Sequence, residues 1–144
     1  MTDHQAYPRL MHTALDTEDA RGLAEFYREL LGLHYRPGDE PPAGGDEGAD
    51  DADWLVLLDT DGVRRLAFQR VDVPLPRSTW PTHDVPMQLH VDYAVASFAE
   101  LVRHRDRALA LGAEVLLDRT ADEEEPLVVL ADLAGHPFCL LVAG

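Results

Sequence analysis

The chain contains two similar stretches, and this duplication constrains the fold more than any other feature of the sequence. The first stretch reads LMHTALDTEDARGLAEFYRELLG, and the second reads MQLHVDYAVASFAELVRHRDRALALG. Each begins with an apolar segment that carries one histidine, His12 or His90, continues as an amphipathic helix pattern and stops at a glycine. Such a repeat predicts two equivalent units related by a pseudo-twofold axis. We therefore expect His12 and His90 to be equivalent and to face one cavity.

The spacing of apolar residues predicts the same element order in both halves: strand, helix, strand, strand, strand. In the first half, Asp16 or Thr17 is the expected N-cap of a helix that ends at Gly32, and the predicted strands cover 11–15, 33–36, 54–59 and 64–71. In the second half, Ser97 and Glu100 form a capping box for a helix that ends at Gly112, and the predicted strands cover 88–94, 114–118, 126–132 and 137–143.

These elements predict an α+β fold in which two paired βαβββ modules form a curved mixed sheet around a cavity, with the helices on the outside. Residues 1–144 are interpreted as a single domain. Its parts are module one at about 9–71, a proline-rich linker at about 72–86 and module two at about 87–144. The segment from Gly38 to Ala52 has almost no apolar side chain to bury. We expect it to be mobile and dispensable for folding.

Composition limits the partners that the protein is expected to have. The chain has 12 basic and 27 acidic residues, a net charge of -15, which predicts repulsion of nucleic acids and of anionic membrane surfaces. No segment approaches the roughly 20 apolar residues needed to span a bilayer. The single cysteine, Cys139, forms no intrachain disulfide and fits a reducing compartment. We expect a cytoplasmic protein with neither nucleic acid nor membrane as partner.

Three stretches resemble the vicinal oxygen chelate superfamily, the group of glyoxalases, bleomycin resistance proteins and extradiol dioxygenases. They are His12 followed by LAEFYRELLGL, then LHVDYAV before the second helix, and LADLAGHPFCLL near the C-terminus. The resemblance implies a small-molecule ligand and a homodimer, in which the open edges of an eight-stranded sheet are covered. It also implies that any metal ligands lie on the first and last strands of each half.

The resemblance assigns four positions to those ligands, and this chain does not fill all of them with donors. His12 and His90 occupy the two first-strand positions, whereas Ala67 and Cys139 occupy the two last-strand positions, with Gln69 on the same face as Ala67. Alanine cannot coordinate a metal. A lone cysteine in an apolar strand is usually a buried, protonated thiol. We therefore expect no tightly bound metal and no other cofactor.

If a divalent metal is nevertheless bound, its predicted ligands are His12, His90 and Cys139, a donor set that zinc accepts. Asp92 shares a face with His90 and is an expected hydrogen-bond partner of that imidazole, and Gln69 is another candidate. The predicted ligand cavity contains His12, Gln69, His90, Asp92 and Cys139. No catalytic residue is assigned, because the sequence shows neither a covalent nucleophile with its base nor a glycine-rich phosphate loop.

Two functions follow from this set of residues. The first is a small-molecule-binding protein with a degenerate metal site, whose ligand is a small organic metabolite or an antibiotic. The alternative is a metal-dependent lyase, isomerase or dioxygenase that uses His12 and His90. A third interpretation, a structural or regulatory module, is supported only by the incomplete catalytic motifs.

Overall fold

The computed structural model describes residues 7–43 and 50–143, which form two helices and eight strands in the predicted order. Module one consists of β1 (Thr13–Thr17), α1 (Ala20–Leu31), β2 (His34–Tyr35), β3 (Trp54–Leu58) and β4 (Arg64–Arg70). Module two consists of β5 (Val91–Val95), α2 (Phe98–Ala110), β6 (Glu114–Arg119), β7 (Leu127–Ala131) and β8 (Pro137–Val142). Neither helix in this part of the chain is long and apolar enough to cross a membrane.

The two modules have the same sheet topology. The strand order is β1-β4-β3-β2 in module one and β5-β8-β7-β6 in module two. In each sheet the first strand pairs in parallel with the last, and the remaining pairs are antiparallel. The predicted α+β class with paired βαβββ modules is confirmed. The eight strands form two mixed four-stranded sheets rather than one continuous sheet.

A single apolar core joins the modules, and α1 supplies its centre. The Tyr27 ring lies 6.0 Å from Phe68 of its own sheet and 5.8 Å from Phe138 of the other sheet. The Tyr27 hydroxyl donates a 2.6 Å hydrogen bond to Asp132, which is fully buried. Buried side chains of both modules belong to one cluster. The sheet faces that carry Phe68 and Phe138 therefore both point towards this shared core.

The start of α1 differs from the sequence prediction, because Asp19 rather than Asp16 or Thr17 is its N-cap. Thr17 remains in β1, and its hydroxyl oxygen accepts a 3.1 Å hydrogen bond from the Asp19 backbone N–H. The Asp19 side chain then accepts from Gly22 N–H at 2.9 Å. The prediction failed because the threonine bonds with the cap residue and not with the first helical turn. The stop at Gly32 is confirmed by its left-handed φ of 67°.

The acidic segment between β2 and β3 is anchored to α1 in its described parts. Arg21 pairs with Asp50, donates a 2.7 Å hydrogen bond to the Asp39 carbonyl and stacks 4.8 Å above the Tyr35 ring. The expectation of a mobile segment is therefore wrong at Asp39 and Asp50, which are bonded to Arg21, whereas 44–49 lie outside the described residues. Composition did not indicate this anchor, because Arg21 lies on another element.

The turns β3–β4 and β7–β8 are copies of each other. Asp59 and Asp132 each accept hydrogen bonds from the backbone N–H groups two and four residues later, at 2.9 and 3.0 Å in both turns. Each turn contains a glycine with positive φ, Gly62 at 79° and Gly135 at 93°. The duplication visible in the sequence thus extends to the hydrogen bonds of the turns.

Candidate functional site

His12 and His90 lie at equivalent positions, because each directly precedes the first strand of its module. Leu15 and Tyr93 in those strands pack into or against the shared core. Side chains alternate between the two faces of a strand, so both histidines lie on the faces that point away from the core. We call these two surfaces the outer face of module one and the outer face of module two.

The outer face of module one carries an imidazole, an indole and a guanidinium. The His12 ring centroid lies 5.7 Å from that of Trp54, with the two planes at 56°. Burial, and then the positive charges of Arg64 and Arg36, lower the pKa of His12. Within the described residues, the buried atoms His12 Nδ1 and Arg64 Nε have no hydrogen-bond partner. We call the group His12, Trp54 and Arg64 the arginine face.

The outer face of module two carries a different group. One donor atom from each of His90, Asp92 and Cys139 lies within 4.8 Å of the others. His90 Nε2 is 3.5 Å from an Asp92 carboxylate oxygen, and Asp92 stands opposite Cys139 in the parallel pairing of β5 with β8. Burial, and then the Asp92 carboxylate, raise the pKa of Cys139 to about 12. We call this group the thiol face.

The structure brings together three of the five residues predicted for one ligand cavity. Asp92 is the neighbour of His90, as predicted, and Cys139 lies beside both. His12 is outside this group, and Gln69 is exposed on module one, where it pairs with Asp16 and Trp54. Because both sheets turn their apolar faces to the shared core, His12 and His90 lie on the outer faces of the two modules in the described part of the chain, and a cavity shared by them stays a prediction.

The thiol face has donor types that suit a divalent metal, but Cys139 can coordinate a metal only after its thiol loses a proton. Imidazole, carboxylate and thiolate are all zinc ligands, and a three-ligand site leaves one position open. A thiol loses its proton when it coordinates, and burial, and then the Asp92 carboxylate, raise the pKa of Cys139 to about 12, so a metal bound here would have to displace that proton. Ala67, at the equivalent strand position in module one, is fully buried and offers no donor.

The sequence did not reveal every residue around the two histidines. His90 borders a surface depression of about 510 Å³ whose other lining residues come from 80–89, including Trp80 and His83 of the linker. A groove of about 420 Å³ runs between β1 and the start of β8. There, the His136 ring lies 2.6 Å from the Asp16 carbonyl oxygen. In the sequence, the only indication of the depression beside His90 was Trp80, a tryptophan isolated in the proline-rich linker.

Two βαβββ modules with equivalent histidines at their first strands define a protein of the vicinal oxygen chelate superfamily. The family model described as "Glyoxalase-like domain" matches residues 12–141, and the chain belongs to that family. No curated protein sequence matches the chain significantly.

Solved structures with the same fold cover nearly the whole chain. FosX, a genomically encoded fosfomycin resistance protein from Listeria monocytogenes, is 17% identical over 96% of this chain and 93% of its own, with a TM-score of 0.66. A glyoxalase/bleomycin resistance protein/dioxygenase family enzyme from Burkholderia phytofirmans is 14% identical over 94% and 98%, with a TM-score of 0.65. Hypothetical protein SA1046 from S. aureus is 17% identical over 94% and 97%, with a TM-score of 0.62. At these identities the likeness concerns the fold.

Proposed function

We propose that the protein binds a small organic molecule, a metabolite or an antibiotic, without a tightly held metal ion. The observation that carries the proposal is the incomplete donor set: the fully buried Ala67 offers no donor at the position equivalent to Cys139, and burial, and then the Asp92 carboxylate, raise the pKa of the Cys139 thiol to about 12. A neutral thiol leaves His90 and Asp92 as the polar groups that can contact a ligand. The single free cysteine also supports a cytoplasmic location.

The same proposal includes a homodimer. The outer faces of the two modules point away from the core of one chain. A binding cavity between the arginine face of one chain and the thiol face of another therefore requires a second copy of the chain. Apolar residues at the edges of both faces support this arrangement, since Leu10, Met11 and Leu89 are 89%, 62% and 53% exposed. Light scattering should give twice the monomer mass of 16.0 kDa at micromolar concentration. A monomer mass throughout that range would contradict the dimer.

Solved relatives support the ligand class. A FosX variant from Listeria monocytogenes has been solved with Mn(II) and 1S,2S-dihydroxypropylphosphonic acid. That protein therefore holds a small organic molecule on the same fold. For the present chain we propose a ligand of similar size, in contact with His12, Gln69, His90, Asp92 or Cys139.

Elemental analysis of the purified protein tests the metal-free proposal. We expect well below one equivalent of zinc, iron, nickel or manganese per chain. Replacing His12 and His90 together with glutamine should leave stability close to wild type and should weaken the binding of ligands found by a thermal-shift screen. About one metal per chain, lost in that double variant, would overturn the proposal.

A metal-dependent lyase, isomerase or dioxygenase is the alternative, and one observation favours it. His90, Asp92 and Cys139 already present three donors within 4.8 Å of one another, and His12 of a second chain would supply a fourth. A bound divalent ion would act there as a Lewis acid towards substrate oxygens. Titration with Zn(II) or Mn(II) separates the proposals, because stoichiometric submicromolar binding that is lost in His90→Gln would support the enzyme.

A further inference from the structure

We propose that the arginine face is a subsite for the oxyanion of an organic anion, a carboxylate, phosphonate or phosphate attached to an apolar body. This inference deepens the proposed function by naming the chemical class of the ligand. It rests on the proposed function only for the statement that the protein binds a small molecule.

The strand pairings bring the three side chains of the arginine face together. His12 immediately precedes β1, which pairs in parallel with β4. Arg64 begins β4 and pairs with Leu58 at a register shift. Trp54 begins β3 on the same sheet, and its ring reaches to 5.7 Å from the His12 ring. The effect of the Arg64 charge on the pKa of His12 agrees with this proximity.

Two nitrogen atoms of this face lack a hydrogen-bond partner, and both can donate to one acceptor. His12 Nδ1 and Arg64 Nε are buried and bond to no group of the described residues. A buried polar atom without a partner is destabilising, so each of these two atoms is a candidate for a hydrogen bond to a ligand or to an ordered water. The guanidinium N–H can only donate, and a neutral imidazole carries one N–H donor. An oxyanion, which only accepts, matches Arg64 and the Nδ1–H tautomer of His12.

The charge at this face selects an anion over a cation. The chain carries a net charge of -15, yet no carboxylate in the described ranges forms an ion pair with Arg64. The neighbouring Arg65 is paired with Asp59 at 2.8 Å, and Arg70 with Asp53 at 2.8 Å. A cation beside Arg64 would be repelled, whereas an oxyanion would gain a charge-assisted hydrogen bond.

The Trp54 ring supplies the apolar wall of the arginine face. Val56 and Ala67 pair with each other on this outer face and are both 0% exposed, so the space above them is already closed by neighbouring side chains. The partly buried Trp54 ring offers an apolar surface next to the two nitrogen donors. An anion with an aromatic or aliphatic body satisfies the donors and the indole together.

Calorimetric titration with phenylphosphonate tests the subsite, with benzyl alcohol as the neutral match and inorganic phosphate as the bare anion. We expect phenylphosphonate to bind most tightly, phosphate more weakly, and benzyl alcohol not to bind at millimolar concentration. Arg64→Gln should weaken phenylphosphonate binding roughly tenfold or more, because it removes a hydrogen bond to a charged group. Arg64→Lys should bind with intermediate affinity because it keeps the charge.

Arg65→Gln is the matched control, since this exposed neighbour already has a carboxylate partner. It should change the affinity less than about twofold, which is within the usual range for a screened surface charge. Circular dichroism and thermal unfolding of each variant exclude loss of the fold. Three results would each overturn the subsite: equal affinity in wild type and Arg64→Gln, an equal loss in Arg65→Gln, or no binding of any of the anions at millimolar concentration.

The failure of this inference is distinguishable from the failure of the proposed function. A stoichiometric metal found by elemental analysis contradicts the metal-free proposal but leaves the Arg64-dependent binding of phenylphosphonate unaffected. Ligands that bind with the same affinity to Arg64→Gln support the proposed function and contradict the oxyanion subsite.

Discussion

The outer faces of the two modules have the same backbone and opposite chemistry. Each lies beside a histidine that precedes the first strand, and each spans the parallel pair formed by the first and last strands. Module one surrounds its histidine with guanidinium groups, whereas module two surrounds its own with a carboxylate and a neutral thiol. The duplicated fold therefore fixes where a functional group stands, while the residues around it determine which charge it attracts.

The copied turns show the same division between a shared backbone and different surroundings. Asp59 and Asp132 make the same backbone hydrogen bonds, yet the second oxygen of Asp59 meets Arg65 at the surface and that of Asp132 meets Tyr27 in the core. Substitutions at these two positions therefore measure how much burial changes the free energy of unfolding when the local backbone hydrogen bonds are the same.

The largest effect is expected for Asp132→Ala. This change leaves the Tyr27 hydroxyl and two backbone N–H groups without their acceptor in the core, so the free energy of unfolding should fall by about 3–5 kcal/mol. Asp59→Ala removes the same backbone bonds at the surface, where water replaces them, and should cost clearly less. Urea denaturation of both variants gives the comparison, and equal losses would show that the turn alone sets the cost.

The same two carboxyl groups should give opposite pH dependence. Burial raises the pKa of Asp132 above its ordinary value of 3.8, so its contribution to stability is complete below that pH and is lost as pH rises through the folded-state pKa. Backbone hydrogen bonds lower the pKa of Asp59, so its contribution is present above 3.8 and is lost as pH falls through the folded-state pKa.

Unfolding free energies of wild type, Asp132→Asn and Asp59→Asn between pH 3 and 7 check these signs. The advantage of wild type over Asp132→Asn should shrink as pH rises above 3.8, and its advantage over Asp59→Asn should shrink as pH falls below that value. If the unfolding free energies of the two variants changed with pH in the same way, the buried surroundings assigned to Asp132 and the exposed surroundings assigned to Asp59 would be contradicted.

The loops β2–β3 and β6–β7 occupy equivalent places in the two modules, and they differ in how far the ion pair that holds them is buried. In module one the loop is anchored by the Arg21–Asp50 pair, whose side chains are only 15% and 17% exposed. Arg21→Met should therefore cost about 1–3 kcal/mol, because it leaves Asp50 and the Asp39 carbonyl in a partly buried place without their partner. Thermal unfolding measures the loss, and hydrogen exchange should locate it in 50–52.

The corresponding connection in module two is held by the surface pair of Arg119 with Asp122, at 44% and 32% exposure. Arg119→Met should leave thermal unfolding almost unchanged, since a solvent-exposed ion pair contributes little. If this variant lost as much stability as Arg21→Met, burial would not be the property that distinguishes the two connections.

The helix caps should give the smallest and most equal effects. Ser97 caps α2 as the sequence predicts, accepting from Glu100 N–H at 3.2 Å, and Asp19 does the same for α1. Asp19→Ala and Ser97→Ala should each lower the unfolding free energy by about 1 kcal/mol. Chemical denaturation of both variants tests whether the two helix starts are equivalent. A loss confined to one of them would break the equivalence.

The sequence predicted the element order and the histidine positions because both depend on local signals. Apolar periodicity located the strands, and glycine marked the ends of the helices. The proximity of His90 to Asp92 was also accessible, since the two residues share one strand face. These parts of the fold and of the candidate site follow from residues close together in the chain.

The rest depends on contacts that no local pattern encodes. Tyr27 meets Asp132 across 105 residues, and this packing turns both histidine faces outwards. Arg64 reaches the surroundings of His12 through the parallel pairing of β1 with β4 and the register shift at Leu57 and Leu58. Whether His12 and His90 share one cavity stays a prediction, because the way in which two modules pack, within a chain or between chains, is a tertiary property that no local pattern encodes.

The end of α1 is completed by a residue of the other module. Arg107 of α2 donates hydrogen bonds to the Glu29 and Leu30 carbonyls at 2.6 and 3.2 Å, and so completes the last turn of a helix in the other module. Counted from the two N-caps, Arg107 occupies the position that Glu29 occupies in α1. Both acceptors are backbone carbonyls, so the contact does not depend on the side chains at 29 and 30. Module one alone would leave these two carbonyls to water, and the end of α1 is therefore completed only when both modules are folded together.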